Sequence, residues 1–202
     1  GLNSVKEYYL NDFRYQRYQN IGIAKHYPHN SIITGSSLSE SFKPSIIDSL
    51  FNRQTIKIPM SGSSAREQAL LISNSISSNL DNVIWDIHYT AYSGDSQKMH
   101  KNHQFPMFLY DENSINDFKF YASIDALNFS LKKKLSRSKY FTNNFDALYK
   151  QDDENQFGRD NVFEYISMYE DQIVSPKETQ LYTFSKLEEN FEVNILPIVK
   201  SN

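Results

Sequence analysis

Hydrophobic positions along this chain fall into two alternating kinds of run. Asn30-Ser31-Ile32-Ile33-Thr34-Gly35, Thr55-Ile56-Lys57-Ile58-Pro59-Met60 and Val83-Ile84-Trp85-Asp86-Ile87-His88-Tyr89 are short, apolar and bounded by turn residues. Runs of that length and setting predict buried parallel strands, and Pro59 sits near a strand end, where it costs least. Between the first two runs, Ile46, Ile47, Leu50 and Phe51 share one face of a helix over 43–51, with Pro44 in its first turn. Between the second and third, Ser64 and Glu67 have capping-box spacing. The helix they start has Ala69, Leu70, Ile72 and Ile76 on its apolar side and breaks at Asp81-Asn82. The order β-α-β-α-β with short connections predicts right-handed crossovers and a parallel sheet. The expected fold class is therefore α/β, a three-layer α/β/α arrangement with a parallel sheet.

The rest of the chain is less regular. Residues 1–29 read as a polar and aromatic lead-in with a short helix, and 30–202 as the α/β domain, with a helical insertion at about 94–175. Within that insertion, Gly94 to Asp117 reads as an insertion or lid loop. Short helices are expected at 123–136 and 141–150, and 151–161 reads as a solvated loop. A last helix runs from about Lys177 to Lys200, carrying Phe184, Leu187, Phe191, Ile195 and Ile198 at helical spacing, with Pro197 expected to kink or shorten it. A crossover helix normally feeds another strand, so at least one more strand is expected outside these residues.

Composition narrows the chemistry. The chain has 202 residues and a net charge of -3, with 39% hydrophobic and 22% charged residues, which suits a globular domain and gives no electrostatic reason to expect nucleic acid. It has no cysteine, which excludes disulfides, thiolate metal sites and a Cys nucleophile. No run of 18 or more apolar residues is present, so nothing in it reads as a membrane span. The chain opens on Gly1 and not on Met, so its natural N-terminus is expected to lie upstream, and the lack of a signal peptide within these residues argues little about targeting. The 14 Tyr and 14 Phe are scattered, which points to core packing over a platform for sugar rings.

The C-terminal ends of the three strands share one edge, where open α/β sheets hold their sites. That edge gathers Ser36 and Ser37, Gly62 and Ser63, and the stretch from Asp86 to His88. A strand feeding Gly35-Ser36-Ser37 into a turn has three readings: a helix cap, a backbone cradle for an anion, or a nucleophile beside oxyanion donors. The second turn, Ser61-Gly62-Ser63, favours the last, because a Gly there lets a backbone N–H approach a substrate oxygen. His88 is either a base or a hydrogen-bonded structural residue, and Asp86 either a polar support or a strand-end cap. His100 and His103 are spaced i, i+3 but lack a carboxylate at ligand spacing, so no metal is expected.

These residues resemble a family. Ile32-Ile33-Thr34-Gly35-Ser36-Ser37-Leu38 is similar to the first block of the SGNH (GDSL-type) hydrolases, an apolar strand followed by Gly-Asp-Ser-Leu. Ser36 stands where that block has Asp. The resemblance implies Ser37 as nucleophile and oxyanion donor, and Gly62, matching the second block, as another donor. The third block, Gly-x-Asn-Asp, has no clean match, and the Asp-x-x-His that supplies the base is not found in residues 177–202. The chain is thus expected to be an N-terminal portion of an SGNH/flavodoxin-like domain, incomplete at its C-terminus. The segments 35–42 and 61–68 also look like bacterial SGNH-like proteins with a membrane anchor and an extracytoplasmic domain, which implies the cell envelope, with the cytoplasm as the alternative compartment.

The resemblance implies a serine esterase or acyltransferase. Its substrate would be an acyl ester on a small molecule or glycan, with cell-envelope glycan modification as its setting. No cofactor and no nucleic acid are implied, and any membrane contact would come through a segment outside this chain. Ser36, Ser63 and Asp86 would lie on the substrate side. The alternatives are an inactive SGNH-like binding or scaffold module, and a flavodoxin-type domain with phosphate or flavin at the 35–39 turn. The last has no Walker or Gly-x-Gly-x-x-Gly pattern behind it.

Overall fold

The computed structural model describes residues 8–9, 15–76, 79–99, 105–111, 113, 115–118, 124, 127–128, 131, 141–142, 144–148 and 179–200. Along the chain lie β1 (Tyr8–Tyr9), α1 (Gln16–His26), β2 (Ser31–Thr34), α2 (Pro44–Phe51), β3 (Thr55–Lys57), α3 (Ala65–Ser73), β4 (Asn82–Trp85) and α4 (Tyr89–Tyr92). They are followed by β5 (Phe141–Thr142), α5 (Thr179–Asn190) and α6 (Leu196–Lys200). One 3-10 turn covers Ser37–Ser41 and another Met107–Leu109.

The fold is α/β, and its sheet is three-stranded and parallel, in the order β3-β2-β4. Ser31 pairs with Thr55 on one side and Asn82 on the other, and Ile33 with Lys57 and Ile84. Hydrogen bonding continues past the strand ends, from Ile58 N–H to the Ile33 carbonyl, Met60 N–H to Gly35 and Asp86 N–H to Thr34, each at 2.9 Å. The chain steps from the central strand to β3, then back across the centre to β4. With the right-handed crossovers that parallel strands nearly always use, the two steps in opposite directions put α2 and α3 on opposite faces. Side chains agree with that arrangement. Ile32 and Ile56 join Leu71 of α3 and Ile21, Ile23 and Ala24 of α1 in the main core. Lys57, one residue out of phase with Ile56, sends its ammonium to the Glu40 carbonyl at 2.6 Å. The strand order reverses between β2 and β4, the place at which such sheets bind ligands, and Ser36–Ser37 and Asp86 leave their strands there.

Several expectations need correction. The third strand ends at Trp85 and not Tyr89, because His88 takes up the N-cap of α4. The helix expected at 141–150 is instead β5, antiparallel to β1, followed by a turn. In that turn, Phe145 and Leu148 enter the core and the Asp146 carboxylate accepts from Ser45 N–H at 3.0 Å, capping α2 from across the fold. Most of the apolar face of α2 does not pack inward: Ile46, Leu50 and Phe51 are exposed, and Ile47 is half-buried. The described positions of the 123–136 stretch, 124, 127–128 and 131, are helical. Residues 151–161, His100 and His103 lie outside the described residues.

The last helix carries a wide turn over Phe191–Ile195, where Leu196 N–H reaches back to the Phe191 carbonyl. Pro197 lacks an N–H and crowds the carbonyl four residues back, and the wide turn absorbs both. Two buried asparagines fasten this helix. Asn190 donates to the Tyr92 and Gly94 carbonyls, each at 2.8 Å, and Asn194 to the Ser96 carbonyl at 3.0 Å.

Candidate active site

The first turn is built on close backbone approach. Gly35 has φ +144°, and a Cβ there would stand 2.5 Å from the Asp86 Cβ and 2.8 Å from its carbonyl oxygen. Only glycine lets β2 and the exit of β4 come this near. The Ser36 hydroxyl donates to Asp86 Oδ2 at 2.9 Å and accepts from Leu38 N–H at 3.4 Å, so it caps the 3-10 turn and ties it to β4. Ser37 opens that turn, half-buried. Among the described residues, neither its hydroxyl nor its N–H has a hydrogen-bond partner.

The second turn follows β3. Gly62 has φ +61°, is exposed, and its N–H likewise lacks a partner among the described residues. Ser63 is different: it is buried, and its hydroxyl accepts from Gln68 Nε2 at 2.9 Å and lies 3.5 Å from the Gly35 carbonyl. Gln68 in turn accepts at Oε1 from Trp85 Nε1 at 2.8 Å and from the Tyr92 hydroxyl at 3.0 Å. Burial, and then the charge of Asp86, push the Tyr92 phenol far above its usual range, so it stays protonated and keeps donating to Gln68. The Ser63 hydroxyl is thus one link in a chain from α4 through α3 to β2.

Beneath the second turn is a buried polar cluster that sequence reasoning missed. Arg17 and Glu67, both almost fully buried, form a two-pronged ion pair with contacts of 3.1 and 2.9 Å. Arg17 also donates to the Ser61 carbonyl at 3.3 Å. Gln16 accepts from Ser61 N–H at 2.5 Å and donates to Glu40 Oε1 at 2.7 Å, and Asn20 donates to the Pro59 carbonyl. The only signal was three polar residues of α1 at positions 16, 17 and 20, a spacing that reads equally well as a solvated face. The capping box at Ser64 and Glu67 is formed as the spacing predicts, and its Glu67 carboxylate is the one that holds Arg17.

Asp86 and His88 do not share a strand face, since β4 has ended. The ring Nδ1 of His88 is 2.8 Å from the Thr90 hydroxyl, and among the described residues no hydrogen bond joins His88 to Ser37 or Asp86. The arrangement brings together Ser36, Ser37 and Asp86, sets the Gly62 turn on the neighbouring strand, and leaves His88 on the α4 side. No group of three His, Cys, Asp or Glu side chains suited to a metal occurs among the described residues. No family model, curated protein or solved structure matches the chain.

Proposed function

We propose that this chain carries the nucleophile half of an SGNH-like serine esterase or acyltransferase site, acting on an acyl ester of a small molecule or glycan. The observation that carries this reading is Ser37. It is the first residue past the central strand's Gly-Ser turn, at the strand-order reversal, with hydroxyl and N–H both unengaged among the described residues. Ser37 Oγ would attack the ester carbonyl carbon while a base takes its proton. The oxygen made negative would accept from the N–H groups of Ser37 and Gly62. Collapse would expel the alcohol, which takes the proton from the base, and leave an acyl-serine for transfer to water or an acceptor hydroxyl. Asp86, through Ser36, fixes the turn that aims Ser37, and Ser63 supports it through Gln68. His88 is the base candidate among the described residues, and to reach Ser37 it would have to leave Thr90.

The second reading is a binding or scaffold module that keeps the sheet without the chemistry. It is favoured by the lack of a base against Ser37 among the described residues, because a serine without one is a weak nucleophile. Labelling with a serine-reactive fluorophosphonate separates the two. The esterase reading expects labelling that falls at least 100-fold in Ser37→Ala, and His88→Ala reports whether His88 is the base. Equal labelling of the wild type and Ser37→Ala rejects the role of Ser37, and no labelling of either supports the scaffold reading.

A further inference from the structure

We propose that residues 38–51 form an isologous interface at which two copies of this chain pair, α2 against α2. Five large apolar side chains in this one stretch face water: Leu38 (49% exposed), Phe42 (45%), Ile46 (52%), Leu50 (69%) and Phe51 (60%). Two polar contacts hold the helix beneath them to the rest of the fold. Ser45 N–H is held by Asp146, and the Asp48 carboxylate accepts from Thr55 N–H at 2.8 Å. Pro44 is the one residue of α2 that is buried. An eight-residue helix in water is not stable by itself, yet this one presents Ile46, Leu50 and Phe51 to water.

The area fits a pair of copies. With roughly 200 Å² for a large side chain, the five leave on the order of 500 Å² of apolar surface in water, the top of what a monomer usually exposes. Two such patches face to face bury about 1,000 Å² of apolar area. With the usual polar third around them, this amounts to an interface of about 1,500 Å², the standard size for a stable complex. The charge on the stretch argues for self-pairing over a foreign partner. Glu40 is buried, the Asp48 carboxylate is used at Thr55, and Lys43 is the remaining charged side chain. An apolar patch with almost no charge has little to select a different molecule, and two copies meeting about a two-fold axis present the same patch to each other.

Sedimentation velocity on the whole chain from 1 to 100 μM tests this. The wild type should run at twice the 23.6 kDa of one chain. Leu50→Lys and Phe51→Lys, at sites already exposed, should weaken the dimer at least tenfold while keeping the wild-type circular dichroism spectrum. Ile115→Lys, outside the patch and 84% exposed, should leave it intact. A wild type that stays monomeric at 100 μM overturns the proposal. So does a dimer indifferent to both α2 substitutions, or loss of folding in both, which would mean that the patch is covered by its own chain.

Discussion

The turns after β2 and β3 carry nearly the same residues, Gly35-Ser36-Ser37 and Ser61-Gly62-Ser63, and are held by opposite means. The first is fixed by what is absent: Gly35 has no Cβ, so the backbone of Asp86 can lie against it, and one hydroxyl bond from Ser36 completes the contact. The second is fixed by what lies beneath it, a buried charged pair and two side-chain amides from α1 that grip Ser61 and Pro59. The consequence is a division of labour between like residues. Ser63 is consumed by the scaffold, while Ser37 is left with its hydroxyl unused among the described residues. Composition alone makes the two serines equivalent, and the difference in support sets Ser37 apart from Ser63 as a candidate for chemistry.

The comparison can be broken at three points. The largest effect is expected at the buried pair. Glu67→Ala strands the Arg17 charge and takes the carboxylate from Ser64 N–H, and should cost about 3–5 kcal/mol in urea unfolding. Replacing both partners, Arg17→Met with Glu67→Leu, should recover most of that loss, because a well-packed apolar pair removes the stranded charge. If Glu67→Ala costs under about 1 kcal/mol, the second turn does not depend on the pair.

Next comes Gly35→Ala. The new methyl group meets Asp86 atoms at 2.5 and 2.8 Å from a backbone conformation that disfavours side chains, and should cost about 2–4 kcal/mol. Asp86→Gly in the same chain should return part of it, since the nearer obstructing atom is then gone. A cost that simply adds across the two substitutions would refute the close contact.

The smallest effect should be at Ser37. Ser37→Ala removes a hydroxyl with no partner among the described residues, and unfolding should stay within about 0.5 kcal/mol of wild type. A loss near that of Gly35→Ala would make Ser37 part of the scaffold, like Ser63.

Elements whose signal is local were legible in the chain. The capping box of α3, Pro44 at the start of α2 and the perturbation before Pro197 are set by neighbours a few residues apart, and each is found where the pattern puts it. The same holds for the parallel sheet, because short apolar runs alternating with helical ones leave few topologies. What misled was periodicity without a partner. Ile46, Leu50 and Phe51 share a helix face as predicted, but period says nothing about what covers a face, and none of the three is buried. The 141–150 stretch failed for a related reason. Phe141–Thr142 pairs with Tyr8–Tyr9 more than a hundred residues away, a contact with no local trace.

The sequence by itself determined the three strands of the parallel sheet and that Ser37, Gly62 and Asp86 follow their C-terminal ends at one edge, since short apolar runs alternating with helical ones leave few other arrangements. The tertiary structure alone decided which residues at that edge are free. It spent Ser63 on Gln68, set His88 beside Thr90 and buried Arg17 against Glu67. The physical reason is that a side chain's hydrogen-bond partners and its burial are set by whatever packs against it in space. For these residues, those neighbours come from distant parts of the chain.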